Sequence, residues 1–180
     1  MFANILSLII DTVSTLLAGV LLLRFWMQAV RVRLPLSLTH FMFKLSDWLV
    51  LPIRRILPGI GGYDWASLFG AVLVAMVSVA IELGIRSVFS LEPWLMISLH
   101  SIIHWIVYGF IGLLFMEVIF SWVNPDAPLA PAVRALNQPL MRPLRRFIPP
   151  IAGVDISPIV AFLFLRVVLY IADSLLLGLY

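Results

Sequence analysis

The chain has 180 residues, 63% of them hydrophobic and 12% charged, with a mean hydropathy of +1.11 and a net charge of +3. That is more apolar side chain than a small water-soluble core can bury, so the composition excludes an ordinary soluble domain and points to an all-α membrane protein. The Lys and Arg residues cluster at the ends of apolar runs with no interleaved aromatics to stack bases, which argues against nucleic acid, and the lack of cysteine removes disulfides, thiolate metal sites and thiol nucleophiles.

Phe2 to Leu23 is an apolar run interrupted by one charge, Asp11, and its length of about 22 residues suits a helix crossing a hydrocarbon layer of about 30 Å. It reads as a retained span. No basic segment precedes it, and Arg24-Phe25-Trp26-Met27-Gln28 follows where a signal peptide carries a small-residue cleavage site.

From Arg24 to Asp64 the chain turns basic and amphipathic. His40, Lys44 and Asp47 recur at i, i+4 and i+7 opposite Phe41, Leu45, Trp48 and Leu49, the pattern of a helix lying in the headgroup plane. Pro52 and Pro58 are expected to interrupt that helix, Gly59, Gly61 and Gly62 to reverse the chain, and Asp64 to cap the helix that follows. The second span, Trp65 to Ile85, has a ridge of small residues at Ser67, Ala71 and Ala75 that admits a close neighbour, while Glu82 near its far end reaches toward headgroups.

A hydrophilic turn, Arg86 to Pro93, leads to the third span, Trp94 to Phe120, which carries His100, His104 and Glu117; Glu117 too is expected to reach headgroups. Asn124-Pro125-Asp126-Ala127-Pro128 then opens a second interfacial helix. Its Val133, Leu136, Leu140 and Leu144 are expected toward lipid, and Arg134, Asn137, Gln138, Arg142 and Arg145 toward water. Asp155 caps the last span, Pro158 to Tyr180.

The two basic loops share an element. Pro52, Arg54, Arg55, Pro58, Ile60, Gly62 and Asp64 recur 91 positions later, without a gap, as Pro143, Arg145, Arg146, Pro149, Ile151, Gly153 and Asp155. The chain is therefore expected to be a tandem duplication of residues 1–90 and 91–180, each half a span, an amphipathic interfacial helix and a second span. Arg24, Arg31, Arg33, Lys44, Arg54 and Arg55 lie in the first loop and Arg134, Arg142, Arg145 and Arg146 in the second, against Arg86 alone in the central turn. The positive-inside rule puts both loops in the cytoplasm and both termini outside, so that the four spans form two repeats of parallel topology.

The doubled Pro-x-Arg-Arg-x-x-Pro-x-x-x-Gly-x-Asp element between apolar spans, with Ser121-Trp122-Val123-Asn124-Pro125 before its second copy, resembles the YggT family, also called YlmG, of bacterial and plastid membrane proteins. The resemblance covers nearly the whole chain in two copies. It implies no established biochemical activity: members have been linked to osmotic or ion tolerance, sit near cell-division genes in some bacteria, and in chloroplasts are associated with haem attachment during cytochrome b6 assembly. It also implies residence in the bacterial inner membrane. The copies differ where Gly59, Tyr63 and Trp65-Ala66-Ser67 stand against Pro150, Val154 and Ile156-Ser157-Pro158, which allows them unequal roles.

Three groups of residues are candidate sites. Arg54, Arg55, Arg145 and Arg146 read first as anchors that fix topology, and second as a basic patch for anionic headgroups or an acidic partner. His100 and His104, at i and i+4, have a metal-chelating spacing but no Glu after the first His, and two ligands on one face do not suit haem, so packing or hydrogen bonding is the expected role and neither metal nor cofactor is expected. Asp11, Arg166 and Asp173 fall at depths of roughly 19, 12 and 22 Å from the cytoplasmic ends, at about 1.5 Å per residue, and are expected to pair in the bundle through an Asp11–Arg166 bridge. No nucleophile elbow, phosphate loop or paired intramembrane aspartates accompany them. The chain is therefore read as a non-enzymatic scaffold, assembly or membrane-homeostasis factor that works as a homo-oligomer or with a membrane-protein partner. An oligomeric ion channel or transporter and a haem-handling factor are the alternatives.

Overall fold

The computed structural model describes residues 2–148, 155–176 and 178. Among them the chain is all helical: α1 (Phe2–Val30), α2 (Leu36–Ile56), α3 (Trp65–Ile85), α4 (Leu91–Val123), α5 (Ala130–Phe147) and α6 (Ser157–Leu176). Four helices are long and apolar enough to cross a membrane, Ala3–Val30 of α1 and the whole of α3, α4 and α6, so the protein is of the multi-pass membrane type. At about 1.5 Å per residue the 33 residues of α4 reach about 50 Å, so its ends extend past a hydrocarbon layer of about 30 Å. The expected Pro149, Pro150, Ile151, Gly153 and Val154, and the end of the last span at Tyr180, lie outside the described residues.

α1 and α3 pack closely because α3 presents small side chains. Ser67, Ala71 and Ala75, expected as a ridge, are all fully buried. At Gly70 a Cβ would sit 3.6 Å from the Leu21 methyl groups and 3.6 Å from Ile53, so the two backbones come together over fully buried Leu21 and Ala18. A second core joins Val107 and Leu114 of α4 to Met141 of α5 and to Ala161, Leu165 and Leu169 of α6. A third, of Met27, Met42 and Leu136, ties the C-terminal end of α1 to α2 and α5.

The direction of α4 relative to α1 follows from two contacts. Trp105 Nε1 donates to Thr15 Oγ1 at 3.1 Å, and farther along both helices the Trp26 and Phe110 rings meet edge to face at 5.1 Å. The two helices run the same way, so α2 and α5 follow at the same end. Trp26 Nε1 also donates to the Leu136 carbonyl of α5 at 3.0 Å, fixing that end together.

Two local expectations need correction. Pro52 does not interrupt its helix: α2 continues through it to Ile56, and α5 likewise runs through Pro139 and Pro143. A proline within the last turns costs one backbone bond and leaves a carbonyl that can be solvated on the open face of an amphipathic helix. Val133 and Leu136, expected toward lipid, are buried against protein, and Asn137, expected toward water, is fully buried. An apolar stripe marks a face that avoids water; it does not say whether hydrocarbon or another helix covers it. Leu8, Leu16, Phe115, Leu163 and Tyr170 do point outward from the spans, onto the surface that hydrocarbon covers.

Truncating Leu21 to Ala should cost about 2–5 kcal/mol, because the α1–α3 contact cannot collapse around the cavity. Phe115→Ala, which alters the outer face of α4, should leave the thermal unfolding midpoint in detergent within a few degrees of the parent. Equal losses in the two variants would mean that Leu21 is not at the packed core.

Candidate functional site: polar clusters at the two ends of the helices

At the loop end of the first half, three helices meet on one ion cluster. Gly61 and Gly62, with φ of 69° and 84°, make the reversal that delivers Asp64 to the start of α3. There Asp64 caps the helix as expected, its Oδ1 accepting the Ser67 N–H at 3.4 Å and its Oδ2 the Ser67 hydroxyl at 2.7 Å. The same Oδ2 accepts Arg54 Nη2 from α2 at 2.7 Å and Arg24 Nε from α1 at 3.2 Å. Asp64 is 2% exposed and Arg24 5%, so this is a buried pair.

Arg24 is satisfied on its other side as well. Its Nη1 donates to Asp47 Oδ1 at 2.6 Å and to Ser46 Oγ at 2.8 Å, and the guanidinium lies 4.3 Å from the centre of the Phe43 ring. Two arginines and two aspartates make the cluster neutral, as its burial requires. Burial raises the Asp64 carboxyl, but the bonds from Arg54 and Ser67 and the charges of Arg54 and Arg24 outweigh it and hold the group below the usual carboxylate range. Phe25, Tyr63 and Trp65 form an aromatic group beside it, with ring centres 6.0–6.3 Å apart.

The second half repeats the frame with the charge reversed. Arg145 Nε donates to Asp155 Oδ2 at 2.8 Å, and Asp155 Oδ1 accepts the Ser157 N–H at 2.9 Å, so the expected cap is again held by the arginine ten residues before it. Here the residue contributed by the long preceding helix is an anion: Glu117 of α4 accepts Arg145 Nη2 at 3.3 Å and Asn137 Nδ2 at 2.7 Å. Asn137, 91 positions after Ser46, also donates to the Leu113 carbonyl at 2.9 Å. Arg145 and Asp155 are 43% and 41% exposed, so this cluster is more open than the first. Burial raises the Asp155 carboxyl, and the bonds from Ser157 and Arg145 with the Arg145 charge together outweigh it and hold the group below the usual carboxylate range.

The four arginines of the expected patch therefore divide by position. Arg54 and Arg145 are committed to the caps, whereas Arg55 and Arg146 are exposed in the last turns of α2 and α5 and form no ion pair among the described residues. The Cα traces of α2 and α5 stay more than 8 Å apart, so the two pairs sit on helices whose backbones do not adjoin. Glu117, expected at the headgroups, is turned inward with 12% exposure.

At the opposite end, the expected Asp11–Arg166 bridge does not form: both side chains are exposed and share no ion pair. Asp173 instead turns to α4. Its Oδ1 lies 2.8 Å from both His100 Nε2 and His104 Nε2. The histidine pair thus takes Asp173, the third member of the expected charge group, because one helix turn brings both rings to the α6 side of α4. Asp11 faces the same cavity, of about 550 Å³, which His100, His104, Thr15 and Tyr108 also line.

Sequence reading missed Arg24 as a hub, with Ser46 and Asp47 as its supports, and Asn137 as the support of Glu117. The available signal was an arginine directly after a span, followed by aspartates within reach of its length.

The CCB3/YggT family profile matches residues 3–85 and 96–176. Similar curated proteins are uncharacterized protein PA0392 of Pseudomonas aeruginosa, 34% identical over 89% of this chain and 84% of that one, and uncharacterized protein YggT of Escherichia coli, 33% identical over 92% and 87%. A Vibrio alginolyticus protein described as lying in the proC 3′ region is 30% identical over 91% and 90%. No solved structure matches.

Removing Arg24 as Ala should destabilise the fold by about 3–5 kcal/mol, since it leaves Asp47 and Asp64 without their buried partner. Asp64 binds its proton more weakly folded than unfolded, so its stabilisation is complete above the usual carboxylate range and is lost as pH falls through that range and below it. The unfolding midpoint should drop on acidification in the parent and much less in Asp64→Asn. Asp155→Asn, at a half-exposed pair, should behave nearly like the parent.

Proposed function

The chain belongs to the CCB3/YggT family, and from that premise we propose that it is a non-enzymatic inner-membrane scaffold or assembly factor supporting membrane homeostasis under osmotic or ionic stress. The observation that carries this reading is where the polar residues go. Arg24, Asp47, Arg54 and Asp64 in one half, and Arg145, Glu117 and Asp155 in the other, are paired with one another between helices. What remains for other molecules is an outer surface of large apolar side chains and exposed cations that form no ion pair among the described residues, Arg55 and Arg146 of the repeated element among them.

In this reading the protein is two tandem units, residues 1–90 and 91–180, of parallel topology. The order long helix, polar-faced helix, long helix occurs twice, and the repeated basic element falls at the same place in each. α2 and α5 lie along the cytoplasmic headgroups with both termini outside, Arg55 and Arg146 engage anionic lipid, and the apolar flanks meet a second copy or a membrane-protein partner.

One observation favours a second reading, a small oligomeric channel or transporter: Asp11, a carboxylate, lines a cavity within the span region together with His100 and His104. Haem handling has less support, since His100 and His104 converge on a single carboxylate oxygen from one face of one helix.

Purified chain in liposomes should give no ion flux above protein-free vesicles, and native mass spectrometry should retain anionic lipid on the parent and lose it in Arg55→Gln/Arg146→Gln. The same double variant should fail to restore growth after osmotic upshift in a strain lacking the gene. Flux abolished by Asp11→Asn would instead establish the transport reading, and full complementation by the arginine variant would sink the lipid-anchored scaffold.

A further inference from the structure

We propose that His100, His104 and Asp173 form a binding site for one divalent transition-metal ion of the zinc class, joining α4 to α6 at the end of the molecule away from the arginine clusters. The expectation of no metal considered two ligands on one helix. α6 supplies a third: the two imidazole nitrogens and a carboxylate oxygen lie within 4.8 Å of one another.

The geometry suits a metal and is wasteful for hydrogen bonding alone. Two Nε2 atoms both approach one oxygen, Asp173 Oδ1, at 2.8 Å, with the two rings 4.1 Å apart. As hydrogen bonds these use two donors on one acceptor atom while the other carboxylate oxygen takes neither. A tetrahedral ion about 2.0–2.2 Å from each ligand atom requires ligand separations of roughly 3.3 Å, so insertion moves the carboxylate oxygen away from each imidazole nitrogen by about half an ångström. Asp173, 47% exposed, has room to make that adjustment.

Charge points the same way. Asp173 and Asp11 are both carboxylates in spans, Asp11 lines one cavity with His100 and His104, and no Lys or Arg is among that cavity's lining residues. Two carboxylates and two neutral imidazoles balance a +2 ion, where an isolated carboxylate in low dielectric is costly. Two nitrogen ligands with one oxygen select zinc, cobalt or nickel over magnesium or calcium, which prefer all-oxygen shells. The cavity of about 550 Å³ beside the triad leaves the remaining coordination position open to water or to a group carried by another molecule.

The test uses the full chain in detergent, stripped with chelator and carrying no polyhistidine tag. Cobalt(II) should produce ligand-field absorption saturating at one ion per chain, and zinc should displace it. His104→Ala and Asp173→Asn should each weaken zinc binding at least 10-fold by calorimetry with helical content unchanged. His40→Ala, a histidine in α2 remote from the triad, should bind as the parent does. Absence of cobalt bands in the folded parent overturns the proposal irrespective of any variant, and so does undiminished binding in Asp173→Asn, which keeps the side-chain shape and removes the charge.

Discussion

The loop end of the molecule depends on a buried ion pair that cannot be left half made. Arg24 emerges at the end of a long apolar helix, where a bare guanidinium in low dielectric costs several kcal/mol, and Asp64 starts the next apolar helix with the same problem of opposite sign. Each solves the other. Once α1 and α3 are joined there, their antiparallel register is set, and the small residues Ser67, Ala71 and Ala75 face α1 where close packing follows. Arg54 and Asp47 then hold α2 against the same point, so a single carboxylate oxygen and a single guanidinium fix three helices.

The second half shows that the frame tolerates exchange of its charges but not loss of complementarity. Arginine and aspartate at either end of the turn are retained as Arg145 and Asp155, while the contribution from the long preceding helix changes from Arg24 to Glu117 and the partner on the amphipathic helix from Ser46 to Asn137. The result is more open and carries a net negative charge where the first is neutral. Two halves that differ in this way are free to present different surfaces.

Much of this was legible from residues alone, because the signals were strong. Four apolar runs, the glycines before α3 and two aspartates at helix starts marked the spans and both caps, whereas the prolines within α2 and α5 did not mark helix ends. What the sequence did not reveal was partner choice. Asp173 and Arg166 share a face by count, yet Asp173 turns to histidines on α4, since depth along a helix says nothing about which neighbour stands beside it. Likewise Val133, Leu136 and Asn137 have an amphipathic pattern that cannot distinguish lipid from protein as its cover. The arginine pairs were readable as a motif, but the division into a capping member and an exposed member depends on which of the two reaches the carboxylate at the next helix start.

A double-mutant cycle on Arg24→Gln and Asp64→Asn, read as unfolding free energy in detergent, tests the dependence of the fold on this pair most directly. The two changes should be strongly non-additive, with a coupling of about 2–3 kcal/mol, since the double variant leaves neither charge stranded. Additive losses would contradict it, and would mean that α1 and α3 are held by their apolar contact alone.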